Sequence, residues 1–253
     1  MKLTEYKAGK NLASYIDAYY TLETGLLYQP ANRQVFADGC TEIFINVGNS
    51  RPRINTDTVL VPGNIYLGGT MTVSNTVRSV PGSRFIGIRF KPFGLSAFYN
   101  IPLDELVDKI IEFPDKELYS LAEIDDGLIN RLDHFFLGKL KLIKHSPIIP
   151  ITETIFLSKG MVSVDYIAKT YNLSIRTLER IFIKDIGIPP TELIKIIRFK
   201  QSANKLQQAE SAITLLKIAI DTGYYDHAHL SREVKKYSGI TPSQIARNDN
   251  CLS

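Results

Sequence analysis

Three side chains around residue 178 have the types and spacing for reading base edges. Arg176, Glu179 and Arg180 lie three and four positions apart, so a helix places them on one face. A guanidinium on such a face can bind guanine O6 and N7 through paired hydrogen bonds, each pair worth about 1–3 kcal/mol of discrimination. A carboxylate between two arginines can accept from cytosine N4 or simply orient its neighbours. Ser174 and Thr177 open the same run and Lys184 follows it. A second run has the same character: Asp226, His227, Ala228, His229, Ser231 and Arg232, then Lys235 and Lys236, which are expected to reach phosphates. Ala228 carries no hydrogen-bonding group, so looser readout is expected from this second run.

Each run needs a short helix and a tight turn to present it. Val164, Ile167 and Ala168 form an apolar stripe, and Tyr171-Asn172-Leu173 interrupts it. Asn tolerates left-handed backbone, which suits an inter-helix turn. Ser174 is the expected N-cap of the next helix, whose apolar stripe is Leu178, Ile181 and Phe182. Further on, Leu216, Ile218, Ala219 and Ile220 form a stripe and Thr222-Gly223-Tyr224 supplies the turn. Asp226 caps a helix carrying Leu230 and Val234. The first run ends at Gly187-Ile188-Pro189-Pro190 and the second at Gly239-Ile240-Thr241-Pro242. The pattern is therefore two copies of a helix-turn-helix unit joined by the helical run Thr191–Leu206. Two such units on one duplex face would lie about 34 Å apart, one helical turn.

These residues resemble the AraC/XylS family of bacterial transcription regulators. The resemblance covers about 95 residues. It is carried by Ile167-Ala168, Leu178-Glu179-Arg180-Ile181-Phe182, Gly187-Ile188-Pro189-Pro190, Arg198, Ala203, Leu206, Ile218-Ala219, Gly223-Tyr224, His229-Leu230-Ser231-Arg232 and the run Lys235–Gln244. The resemblance implies base contacts from Arg176, Glu179 and Arg180 in the first unit and from His227, Ala228 and Arg232 in the second. Val234 stands where the family usually has Phe, and Ile183 where a basic residue is common. The first departure bears on packing, the second on one phosphate contact.

The chain around these units has 253 residues and a formal net charge of +4. Residues 1–149 hold 16 Lys+Arg and 16 Asp+Glu, while residues 150–253 hold 14 and 10, so the excess charge lies in the C-terminal part. That asymmetry suits a polyanion at one end. Arg33–Phe93 reads as strands and turns. Val35–Val47, Val59–Leu67 and Phe85–Phe90 are strand candidates, separated by breakers such as Pro62-Gly63-Asn64 and Pro81-Gly82. Asn11–Tyr20 is compatible with a strand or a short helix. Leu103, Leu106, Val107, Ile110 and Ile111, and then Ile124, Leu128, Leu132, Phe135 and Phe136, fall at helical spacing. Pro147 and Pro150 interrupt helical continuation.

The expected fold is therefore α+β, with two domains. Residues 1–147 form a small β-barrel or sandwich for ligand sensing or association, trailed by helices at about 102–144. Residues 148–253 form an all-α double helix-turn-helix domain. The segments Phe36–Asn46, Gly68-Gly69-Thr70 and Gly87–Gly94 are similar to N-terminal domains of some AraC-type regulators, which implies a sensor without naming its ligand. Arg89 and Lys91 are the candidate effector-binding residues, toward an anionic ligand, with plain surface charges as the alternative reading.

No catalytic constellation stands out. The histidines at 134, 145, 227 and 229 lie outside the strand-rich zone. Asp38, Cys40 and Glu42 alternate but make a poor metal set, and Cys40 has no neighbouring His to activate it. Two distant cysteines, Cys40 and Cys251, cannot form the cluster that DNA-repair methyl-acceptor proteins use, and no phosphate-cradling Gly loop occurs. Neither enzyme activity, metal nor cofactor is expected. With no apolar run near ~20 residues and no secretory leader pattern, a cytoplasmic protein without a membrane partner is expected. Double-stranded DNA and a small-molecule effector are the expected partners; RNA polymerase and a second copy of the chain stay open. The rival expectation is a protein-interaction or co-regulator module whose basic half binds DNA only non-specifically.

Overall fold

The computed structural model describes residues 1–140, 146–208, 214–247 and 251–252. Strands come first: β1 (Lys2–Tyr6), β2 (Ile16–Glu23), β3 (Ala31–Val35), β4 (Thr41–Asn46), β5 (Arg53–Ile54), β6 (Thr58–Val59), β7 (Ile65–Gly68), β8 (Asn75–Ser79) and β9 (Arg84–Phe90). After β10 (Ile110–Glu112) come the helices α1 (Lys116–Ser120) and α2 (Leu128–Lys139). The remaining helices are α3 (Ile148–Leu157), α4 (Val164–Thr170), α5 (Ile175–Ile186), α6 (Pro190–Gln207), α7 (Leu215–Asp221), α8 (His227–Ser238) and α9 (Pro242–Ala246). A two-residue strand, β11 (Cys251–Leu252), follows.

The strands make two sheets, ordered β1-β2-β9-β4-β7-β10 and β11-β3-β8-β5-β6. Both sheets are open, so of the two architectures expected the sandwich is the one formed. The larger sheet is covered on both faces. Tyr19, Ile43, Ile45, Leu67, Ile86, Ile88 and Phe90 share a core with Phe98 and with Leu132 and Phe136 of α2. The alternate residues Phe44, Tyr66 and Phe85 turn toward Ile54 and Leu60 on the other side. Burial on both faces explains why Ile43-Phe44-Ile45 and Phe85-Ile86 are consecutive apolar residues rather than alternating ones.

Three stretches differ from the sequence expectation. Val35–Val47 is two strands, because residues 36–40 leave the sheet at Gly39, whose φ of +72° is left-handed. Leu103–Ile111 is not an α-helix but a 3-10 turn at Leu103–Leu106 followed by β10. Asp108 adopts φ +57° and accepts hydrogen bonds from the Thr72 and Val73 amides, which redirects the chain onto the β7 edge. Apolar pairs at short range cannot separate these outcomes. Pro150 does not break α3. It lies in the helix's first turn, where no intrahelical partner awaits its missing N–H. Asn11–Tyr20 is a turn that runs into β2.

The sandwich and the helices share one core. Phe36, Ala37 and Phe93 cluster with Leu193, Ile197, Phe199 and Tyr237. Gly187 sits at a second contact. It caps α5 with φ +90°, and a Cβ there would lie 2.6 Å from the Leu103 carbonyl oxygen. A left-handed L-residue costs about 1–2 kcal/mol, and the clash adds to it. Gly187→Ala is therefore expected to lower the urea midpoint by at least that equivalent. An unchanged midpoint would contradict this view of the α5 terminus.

Candidate functional site

Both recognition units are built by the same local devices. Ser163 and Thr214 cap α4 and α7 by accepting from the Tyr166 and Lys217 amides. The turns pass through left-handed Asn172 (φ +52°) and Gly223 (φ +77°). Ser174 then caps α5 at the Thr177 amide, 3.1 Å, and Asp226 caps α8 at the His229 amide, 2.6 Å. These amide bonds hold the Asp226 carboxyl below its ordinary range. Each unit closes on a left-handed glycine, Gly187 or Gly239. The next helix starts at once, with Pro190 or Pro242 in its first turn. Thr241 and Gln244 complete a reciprocal capping box on α9.

Inward faces fix the outward ones. Leu178, Phe182 and Ile186 are buried on α5, and Leu230, Val234 and Tyr237 on α8. Arg176, Glu179, Arg180 and Lys184 are exposed together, with Thr177 half-buried beside the cap. On α8, His227 and Arg232 are exposed and Ala228 is half-buried.

His229, Ser231, Lys235 and Lys236, all expected at the DNA, also have partners within the chain. The His229 ring meets Tyr224 edge to face at 5.2 Å, and its Nε2 lies 3.7 Å from Glu233. Ser231 donates to the His227 carbonyl one turn back. Lys235 donates to the Gly239 carbonyl at the helix terminus. Lys236 pairs with Glu192 of α6 at 2.5 Å, beside the Tyr237 hydroxyl. Sequence alone could not separate a phosphate-reaching lysine from one that clamps α8 to α6, because Glu192 is 44 positions away. The apolar stripe of α7 is also narrower than expected. Ile218 and Ala219 are buried, while Leu216 and Ile220 are 49% and 63% exposed.

Between the units runs α6, which packs against α3, α5, α7, α8 and α9. Arg198 ties it to both units: its Nε donates to the Gly160 carbonyl before α4, and its guanidinium lies 5.6 Å from the Tyr224 ring.

The expected effector pair is split. Lys91 lies past the end of β9, in a crevice with Asp17, Phe93, Glu153, Phe156 and Lys200. Arg89 instead lines the sandwich interior, where Asp17 (2.9 Å) and Glu5 (3.5 Å) engage it. Of the residues that dominate this interior, the sequence marks Arg89 for a ligand site, raises Glu42 only as a metal candidate and does not single out Tyr20. Glu42, Tyr20 and Arg89 line a cavity of about 160 Å³ between the sheets, opposite Ile54, Leu60 and Val77. Burial raises the Glu42 carboxyl to about 7, with Asp38 adding to the effect and Tyr20 and Arg89 opposing it. The alternation of Glu42 with buried Thr41 and Ile43 was the available signal. Among the described residues no group of His, Cys, Asp and Glu gathers to hold a metal, so Asp38, Cys40 and Glu42 do not form a ligand set. Burial pushes the Cys40 thiol up, which opposes nucleophilic use. No described helix is long and apolar enough to cross a membrane.

Comparison with known proteins finds separate matches for the N- and C-terminal parts of the chain. Residues 167–248 match the family model described as a helix-turn-helix domain, and residues 4–112 match a domain of unknown function, DUF6597. An uncharacterized HTH-type transcriptional regulator of Haemophilus influenzae is 28% identical over 85 residues, covering 34% of this chain and 28% of that protein. A crystal structure of apo ToxT from Vibrio cholerae shares the fold at a TM-score of 0.51 and 13% identity, over 96% of this chain and 99% of that one. The C-terminal domain of AraT, a response regulator from Geobacillus stearothermophilus, is 26% identical over 44% of this chain and 91% of that one, with a TM-score of 0.38. Residues 167–248 are thus similar to helix-turn-helix domains, and the relative matched is described as an HTH-type transcriptional regulator.

Glu42 gives a pH test of the interior. An unfolded chain loses the Glu proton near about 4.3, whereas the fold retains it up to about 7. Between those values the native state binds more protons, so stability falls as pH rises. Glu42→Gln is expected to remove that loss. Its stability advantage should grow from pH 4 to pH 7 and then level off in urea titrations; a gap independent of pH would contradict a buried, protonated Glu42.

Proposed function

We propose that the chain is a ligand-responsive transcription regulator that reads two successive major-groove segments through α5 and α8. The observation that carries this reading is the pairing of two identically capped helices, each with basic residues exposed opposite a fully buried stripe. Arg176 and Arg180 contact guanine edges in the first half-site, with Glu179 accepting from cytosine or orienting them. His227 and Arg232 read the second half-site, and Ala228 lets the helix approach closely. Ser174 and Thr177 at the α5 terminus, Lys184, and the amide end of α8 at Asp226 hold phosphates. His229, Ser231, Lys235 and Lys236 position α8 rather than touch DNA, given their partners within the chain.

The division at residue 147 separates a sensor from this reader. Its support is the segment Val35–Glu42, which faces both. Val35, Asp38, Cys40 and Glu42 border cavities in the sandwich. Phe36 packs on Phe199 at 5.9 Å, and the Ala37 amide donates to the Tyr237 carbonyl at the end of α8. The Thr70 hydroxyl donates to the Ile186 carbonyl at the end of α5. A ligand that shifts this segment shifts the ends of both recognition helices. The reading places the protein in the cytoplasm, without catalysis, and leaves RNA polymerase and a second copy of the chain as further partners.

Selection of genomic fragments by the purified full-length protein at near-physiological salt tests the reading. Two short motifs one helical turn apart should be enriched. Arg180→Ala should relax the first motif and Arg232→Ala the second, each by about 1–3 kcal/mol. Binding without enrichment that fades uniformly with salt would instead support a non-specific, protein-interacting module.

A further inference from the structure

The sandwich cavity has one charged wall and one apolar wall. The apolar wall comes from both sheets: Phe44 and Phe85 from one, Ile54 and Val77 from the other, with Leu60 beside them. Among the described residues, none of the side chains that line the cavity from the smaller sheet is charged, although Arg33, opposite Val77 on that sheet, holds a buried Nε that lacks a hydrogen-bond partner. The charged wall is Glu5, Glu42 and Arg89. Tyr20 completes it, because Gly87 leaves space for its ring; a Cβ at 87 would lie 2.0 Å from Tyr20 Cζ. A second cavity of about 140 Å³ adjoins through Val35, Glu42, Phe44, Ile54, Val77 and Arg89. An apolar cavity of about 150 Å³ holds benzene, so together the two suit a body of one or two rings.

The balance of charge selects the ligand's head group. Arg89 is the cation on this wall, and it already serves both Asp17 and Glu5. Asp38, whose carboxylate accepts from the Cys40 amide, adds a further negative field at Glu42. Asp108 and Lys109 face the adjoining cavity from exposed positions, where Asp108 is held by Thr72 and Val73. Glu42 is thus an enclosed carboxyl with no cation of its own. An anion here would face Glu5, Glu42 and Asp38, with Arg89 already engaged and Lys109 only at the exposed edge of the adjoining cavity, whereas a cation would supply Glu42 with a partner.

We propose that this cavity binds a small apolar amine, its ammonium on Glu42 and the Tyr20 hydroxyl and its apolar body against Phe44, Ile54, Leu60 and Val77. The assignment rests on the ligand-responsive reading for its biological meaning, but not for its chemistry. It replaces the anionic effector that Arg89 and Lys91 suggested. Because the ion pair needs an ionised Glu42, affinity should rise as pH increases through about 7.

The test is calorimetric titration of the full-length protein at pH 8 with phenethylamine and tryptamine, beside the matched carboxylates 3-phenylpropionate and indole-3-propionate. The amines should bind and raise the unfolding temperature, and the carboxylates should not. Glu42→Gln should weaken the amines at least tenfold. Ile54→Trp, which fills the cavity from the opposite sheet, should abolish their binding. The proposal is overturned if the carboxylates bind as well as the amines, if Glu42→Gln leaves amine binding unchanged, or if neither series binds. Fragment selection on the same preparations keeps the two readings apart. Enrichment of DNA motifs without amine binding discards the ligand class alone, and amine binding without enrichment discards the regulator alone.

Discussion

The burial of α6 on nearly every side is the constraint on which the rest of the molecule depends. Leu193, Ile194, Ile196, Ile197, Phe199, Ser202, Ala203 and Leu206 are all buried, and they do not fall on one stripe. A helix apolar all round has to be enclosed. Here the enclosing elements are α3, α5, α7, α8 and α9, with Phe36 arriving from the sandwich. Each recognition unit is too short to bury its own apolar face, as α4 and α7 span only seven residues. Their stability is therefore borrowed from α6, and their relative placement is set by it. Full burial of each large side chain contributes about 1.5–3 kcal/mol, which outweighs any one surface contact along this helix.

The same enclosure joins sensing to reading. Residues 36–40 leave the sheet between β3 and β4 and lie on α6, where Gly39 brings the backbone within reach of Leu193; a Cβ there would be 2.9 Å from Leu193 Cδ1. That stretch is flanked by the cavity-lining residues Val35 and Glu42. The carbonyl ends of α5 and α8 each accept one hydrogen bond from the sandwich, through Thr70 and Ala37. On the proposed reading, change at the cavity would reach both ends through this contiguous packing. Close packing transmits such shifts because it has little free volume to absorb them.

Much of the DNA-facing half was legible in the sequence because its signals are local. N-caps at Ser174 and Asp226, left-handed turn residues and terminal glycines act within four or five positions, and the repeat of Gly-Ile-x-Pro makes the two units visible as copies. The relatives' helix-turn-helix match begins at Ile167, within the first unit. What was not legible depends on distant partners. Lys236 and Glu192 meet only because α8 crosses α6. His229 turns to Tyr224 and Glu233, with the Glu233 side chain only 12% exposed. Arg89 looked open to an anion because Glu5 and Asp17 lie on other strands, 84 and 72 positions away. In the sequence Glu42 is weighed only toward a metal, because only the closure of two sheets makes it a cavity-lining carboxyl. Ile110 and Ile111 fit a helical period, and the left-handed Asp108 decided otherwise.

The central claim is that α6 holds α5 and α8 in one fixed geometry for one face of a duplex. Hydroxyl-radical footprinting of the full-length protein on several independently selected fragments measures that geometry directly. The account predicts two protected tracts on one face of every fragment, with centres about 10–10.5 base pairs apart. A single tract, or a spacing that changes from fragment to fragment, would contradict it.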